Sequence, residues 1–190
     1  GGRVCSAWNR VWRAVRAGRI GEARRRSGPR PLVPVASTAR LLIIGQAPGS
    51  KVHQSGIPWN DASGDRLRDW LALDHSVFVD QSRVAILPMG FCYPGAGESG
   101  GDSPPRPECA PRWHERLLKH LPDLQLTLLV GQYAHRHYLE AARTASMTAV
   151  ANVCSRRGPP FFPLPHPSRA IAIVIPKSIC LHWAVLEYLR

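Results

Sequence analysis

The sequence predicts an α/β protein: a three-layer α/β/α sandwich around a central, four-stranded, mostly parallel sheet. Four short apolar runs carry much of that expectation: RLLII at 40–44, RVAILP at 83–88, LTLLV at 126–130 and FFPLP at 161–165. Unbroken apolar runs of this length suit strands buried on both faces, as in a parallel sheet covered by helices. Between them lie segments whose apolar residues recur at helical spacing, so strands and helices alternate without an internal repeat. The chain has 190 residues, 44% of them hydrophobic. That is enough for one domain with a proper core.

The elements follow in order. Residues 1–35 are Arg-rich and poor in acids, with helical spacing around 6–18. They read as a basic arm in front of a core at about 36–168, within one domain spanning 1–190. A transit peptide has a similar composition, but a loosely structured arm is the simpler reading. RLLII then runs into GQAPG. Asp61 or Ser63 can cap a helix beginning near Gly64, with Leu67, Trp70, Leu71 and Leu73 as its apolar face. RVAILP is the second strand, and the glycine- and proline-rich loop FCYPGAGESGGDSPPRPECAP follows it. A helix over 108–121 presents Trp113, Leu117, Leu118 and Leu121 on one side. LTLLV is the third strand, GQYAHRHYLEAA opens the next helix, and FFPLP is a fourth extended segment ending at His166. Residues 170–190 are apolar, then helical from about 179.

Charge and cysteines narrow the function. Net charge is +12, from 25 basic and 13 acidic residues. Arginines gather near 24–26, 66–68 and 156–157. Such an excess favours a polyanionic partner, through phosphate contacts and counterion release. Five widely spaced cysteines give no disulfide framework, and no C-x-x-C pair supports a zinc site. A reducing cytoplasm fits that usage. No apolar run approaches the length of a membrane span.

In parallel α/β sheets, ligands bind beyond the carboxyl ends of the strands. GQAPG, PMGFCYPG and HPS each follow a strand, so they should meet at one edge although distant in sequence. GQAPG is neither a Walker loop, lacking Gly-Lys-Ser/Thr at the required spacing, nor GxGxxG. Read alone it is either a tight βα turn or a loop whose small residues bring backbone amides close to a ligand.

GQAPG after the first strand, then GIPWNDASGD, LLVGQYA and a late HPS, together resemble the uracil-DNA glycosylase superfamily. The resemblance spans about 40–168 and is nearest the bacterial branch around the iron–sulfur (family 4) and broad-specificity (family 5) classes. It implies a substrate of DNA carrying uracil or another deaminated base, flipped out of the stack. It also implies hydrolysis of the N-glycosidic bond, leaving an abasic site, by a monomer working at the nucleoid in the cytoplasm. Gly45, Gln46, Ala47, Pro48 and Gly49 would form a backbone platform beside the flipped base. The transition state calls for a donor to the departing base and a carboxylate or held water near the cationic sugar.

His166 suits the donor role as a neutral imidazole, and Ser168 would position a phosphate; a structural histidine at a turn is the plainer alternative. Asp61 is the nearest carboxylate for the sugar, since Gln46 and Ala47 stand where some relatives carry an acid or Asn. Asp61 is otherwise a helix cap. Asn60 would hold a water or the base edge. Trp59 resembles the aromatic that stacks on the base, or else packs in the core. His53, with Lys51, either touches phosphate or sugar or is a solvated loop residue.

Three departures bear on the carry-over. Relatives place an Asn at the end of the second core strand to read the base; LPMGF stands here. A backbone amide of Met89, Gly90 or Phe91 would have to substitute, which implies a broader base range. Cys92 and Cys109 resemble the later half of the family 4 cluster ligands, but the early pair is missing. No cluster, metal or organic cofactor is therefore expected. After HPS the chain turns apolar, AIAIVIPKSICLHW, where relatives carry a polar DNA-entering stretch. A catalytically weak module that binds damaged or abasic DNA is the alternative. A nucleotide-binding enzyme is disfavoured by the missing P-loop lysine.

Overall fold

The computed structural model describes residues 13–15, 30–98, 100–139 and 161–168. Several expectations fall outside these residues: most of the basic arm, the arginines at 24–26 and 156–157, Cys5, Cys154 and Cys180, and everything after Ser168.

Four strands form the sheet: β1 (Leu41–Ile44), β2 (Val84–Ile86), β3 (Leu126–Val130) and β4 (Phe161–Leu164). Their order is β2-β1-β3-β4. Every pairing is parallel, with Leu41 opposite Val84 on one side and Leu126 on the other, and Thr127 opposite Phe161. Among the described residues, the helices that accompany them are α1 (Ser50–Ser55), α2 (Ala62–Leu71), α3 (His75–Val79), α4 (Cys109–Leu118) and α5 (Gln132–Tyr138).

The period-2 alternation of a strand divides β1 between two cores. Leu42 and Ile44 pack with Trp113 and Leu117 of α4 and Ala134 of α5. Leu41 and Ile43 pack with Leu67 and Leu71 of α2 and Phe78 of α3. Helices therefore cover both faces of the sheet, giving the three layers expected. All four β1 side chains are fully buried, each worth roughly 1.5–3 kcal/mol of transfer free energy. Because the strands are parallel and in register, the loops leaving β1, β2 and β4 emerge at one carboxyl edge.

The helix boundaries have local causes. Asp61 caps α2, its Oδ1 accepting the Gly64 N–H at 2.8 Å. Within α2, Arg68 pairs with Asp65, donates to the Trp59 carbonyl at 3.3 Å and lies over the Phe78 ring. α1 and α3 have no counterpart in the sequence reading. Each buries a single side chain, Val52 or Phe78, which is too little for a 3.6-residue period to register. No helix among the described residues is long and apolar enough to cross a membrane.

α2 ends on a non-glycine in the left-handed region: Ala72, at φ 49° and ψ 43°, donates its N–H to the Arg68 and Asp69 carbonyls. Glycine adopts that conformation without the Cβ clash. Ala72→Gly should therefore stabilise the fold by about 1 kcal/mol, read as a higher urea midpoint. A lower midpoint would mean that the Ala72 methyl contributes packing that outweighs its strain.

Candidate active site

The loops at the carboxyl edge enclose a cavity of about 110 Å³ lined by Gly45, Gln46, Ala47, Pro48 and Gly49 together with Trp59, Asp61 and His166. Three segments far apart in sequence thus meet, as the parallel topology requires.

Trp59 is held by close backbone approaches. A Cβ on Gly45 would lie 2.7 Å from Trp59 Cζ2, and one on Gly64 only 1.7 Å from the Trp59 carbonyl oxygen. Trp59 itself has φ 56°, a left-handed conformation that costs a bulky residue of order 1–3 kcal/mol. Its ring is half-buried, packing on the α2 side of the sheet while also facing the cavity. Its plane is tilted 31° from that of His166, with ring centroids 6.1 Å apart. Trp59 thus packs against the core while its ring also lines the cavity.

His166 stands after β4 and is fixed from two directions. Arg66 of α2 donates to the carbonyls of Pro167 and Ser168 at 3.0 and 2.8 Å. Gly131, at φ +86°, lets the end of β3 lie close to His166: a Cβ there would come within 3.3 Å of the His166 Cβ. Burial lowers the His166 pKa, and the nearby Asp61 charge opposes that shift without reversing it. The ring is therefore neutral at pH 7, able to donate one N–H. Asp61 spends Oδ1 on capping α2, while Oδ2 lies 3.9 Å from the point a Gly49 Cβ would occupy. A neutral donor, a free carboxylate oxygen and an indole face thus border one small cavity.

Other expected site residues sit elsewhere. Met89, Gly90 and Phe91 are buried and do not line the cavity. The amides of Met89 and Gly90 are already committed, donating to the carbonyls of Gly45 and Gln46 at 2.9 and 2.8 Å. They brace GQAPG rather than reading a ligand. The β2 exit presents Pro88 to the cavity instead. His53 is outside the lining; its ring lies 5.7 Å from that of Tyr93, and its carbonyl accepts from Arg30 at 2.8 Å. Asn60 is exposed beside the cavity, and the Ser168 N–H donates to the His166 carbonyl at 2.9 Å. Arg66 and Arg68 serve the fold as internal clamps, which removes them from the basic surface expected to meet phosphate.

One carboxylate was not anticipated. Asp102, at the end of the glycine loop after β2, lines the cavity with Asp61, its Oδ2 2.9 Å from the Gly49 Cβ position. An acid at the end of PGAGESGGD, just after a strand leading to the ligand edge, is a usable signal. It is diluted by loop length.

Behind the cavity wall, His114 of α4 is 2% exposed. Its Nε2–H donates to the Pro88 carbonyl at 3.1 Å, and its Nδ1 accepts from the Tyr138 hydroxyl at 2.5 Å. Burial pushes its pKa from 6.5 down to about 4, opposed by the Pro88 bond and aided by His137. An unfolded His114 binds a proton that the folded one refuses, so its contribution is full above pH 6.5 and is lost as pH falls to about 4. The loss amounts to roughly 3 kcal/mol. Urea unfolding across that span should be markedly shallower in pH dependence for His114→Phe than for the unsubstituted protein. Parallel curves would mean that other groups set the acid limb.

The family model of the uracil DNA glycosylase superfamily matches residues 34–190, taking in GQAPG, Trp59, Asp61, Asp102 and His166 of the cavity lining. That match and the fold agree, and the cavity lies where the parallel sheet delivers its loops. The chain belongs to the uracil DNA glycosylase superfamily, whose members are glycosylases of DNA repair.

Proposed function

We propose that this protein is a monofunctional glycosylase that hydrolyses the N-glycosidic bond of uracil, and of other deaminated bases, in DNA, leaving an abasic site. The observation that carries the reading is the convergence of neutral His166, the free Oδ2 of Asp61 and the Trp59 face on one cavity.

The flipped base stacks on Trp59, a contact worth about 1–3 kcal/mol. As the glycosidic bond lengthens, its electron pair moves into the base. The His166 N–H donates to the base oxygen where that charge collects. The Asp61 carboxylate faces the cationic sugar and takes a proton from the attacking water. Gln46 and the GQAPG backbone supply the floor. With Pro88 where relatives place Asn, the β2 exit offers no side-chain amide to select uracil alone, which supports the wider base range. One base in one cavity needs no second subunit, so we take the active form to be a monomer, working on chromosomal DNA in the cytoplasm.

Asp61 also caps α2, and a module that binds damaged DNA without cleaving it would need no more than that. Asn caps about as well as Asp, so Asp61→Asn separates the roles. With a uracil oligonucleotide followed by alkaline cleavage of abasic sites, the unsubstituted protein should give strand breaks. His166→Ala should be slower by about 10²-fold or more, and Asp61→Asn by about 10²-fold with its unfolding midpoint retained. No breaks on single- or double-stranded substrate would overturn the glycosylase reading. Full activity in Asp61→Asn would restrict that residue to capping.

A further inference from the structure

We propose that Asp102 is a second catalytic carboxylate, which together with Asp61 holds the attacking water beside Gly49; this rests on the glycosylase reading above. The two carboxylates reach the same point from different elements. Asp61 comes from the start of α2 and Asp102 from the loop after β2. Their Oδ2 atoms lie 3.9 and 2.9 Å from the position a Cβ on Gly49 would take. A side chain at 49 would collide with Asp102, so glycine there keeps the space between the acids open.

Each carboxylate is fastened so that it faces this space. Asp61 is anchored through Oδ1 by the Gly64 N–H. Asp102 is neighboured by the Tyr93 hydroxyl, whose pKa is raised by burial first and then by the Asp102 charge and hydrogen bonding to it. The phenol therefore stays protonated as a donor. The loop itself is built to return to the cavity. Ala96 and Asp102 form an antiparallel bridge, Gly97 N–H donates to the Gly101 carbonyl, and Ser103 N–H donates to the Gly95 carbonyl. Gly95, Gly100 and Gly101 have φ values of 100°, 86° and 79° with open space where a Cβ would sit. Their glycines serve the turn, not close packing.

The chemistry gives the two acids different tasks. The C1′–N bond breaks with its electron pair going to the base, and the water oxygen forms the new bond to C1′. Asp61 takes one water proton. Asp102 accepts a hydrogen bond from the other O–H, aiming the oxygen lone pair at C1′, and adds negative charge facing the cationic sugar. The base collects a proton from solvent on release, and Asp61 returns its own.

Single-turnover excision on a uracil oligonucleotide tests this, run beside binding of a 2′-fluoro-deoxyuridine oligonucleotide that resists cleavage. Asp102→Ala should be slower by about 10²-fold, and Asp102→Asn, which keeps an acceptor, by about 10-fold. Both should bind the fluorinated oligonucleotide within about 3-fold of the unsubstituted protein. Because the acids share one water, Asp61→Asn/Asp102→Asn should be slower than Asp61→Asn alone by no more than about 3-fold. Asp102→Ala at full rate would overturn the proposal while leaving the glycosylase reading intact, as would a loss confined to binding or strictly multiplicative losses in the double variant. An unsubstituted protein that releases no uracil would overturn both.

Discussion

The cavity depends on how closely the chain around Trp59 can approach its neighbours. Gly64 lies so near the Trp59 carbonyl that no side chain fits, and Gly45 lies against the indole edge. These contacts draw the start of α2 onto the end of β1. Asp61, two residues after Trp59, is carried with them, so the cap that starts α2 also delivers a carboxylate to the ligand edge. The left-handed backbone of Trp59 is the strained part of this arrangement. The buried anchors of α2, Leu67 and Leu71, hold it in place. Local strain at a site supported by a rigid core is the usual setting for preorganised chemistry.

Electrostatics in the cavity follow from burial and pairing. His166 is kept neutral by burial in spite of a neighbouring carboxylate. In the reaction we propose, it would stabilise an anionic leaving base without adding a fixed positive charge beside a cationic sugar. The arginines nearest the site are spent on architecture: Arg66 on the carbonyls after His166, Arg68 on Trp59 and Asp65, Arg30 on the end of α1. The excess positive charge of the chain is thus not the same thing as a DNA-binding surface, although it still draws the protein toward polyanions.

The sheet was legible because its strands are continuous in apolar residues and β1, β2 and β3 are fully buried; LTLLV coincides with β3 residue for residue. His166, Asp61 and Trp59 were legible through the motifs that carry them, and parallel topology accounts for their meeting. Four things were not. α1 and α3 bury too few side chains for a helical period to emerge. The bracing role of Met89 and Gly90 depends on which carbonyls their amides meet, a tertiary fact with no residue signature. Asp102 depends on a glycine loop turning back on itself, and His114 on a partner 24 residues away. Contacts made by loops and by buried polar pairs are specified by the assembled fold rather than by local pattern.

On the proposed function, this cavity receives a flipped base between Trp59 and His166, with Asp61 on the sugar side. A crystal structure of the protein with DNA containing 2′-fluoro-deoxyuridine tests it most directly. The uracil ring should lie against the Trp59 indole, with its O2 within hydrogen-bonding distance of a His166 ring nitrogen and C1′ facing the Asp61 carboxylate. A uracil left stacked in the duplex, or bound away from GQAPG and HPS, would contradict it.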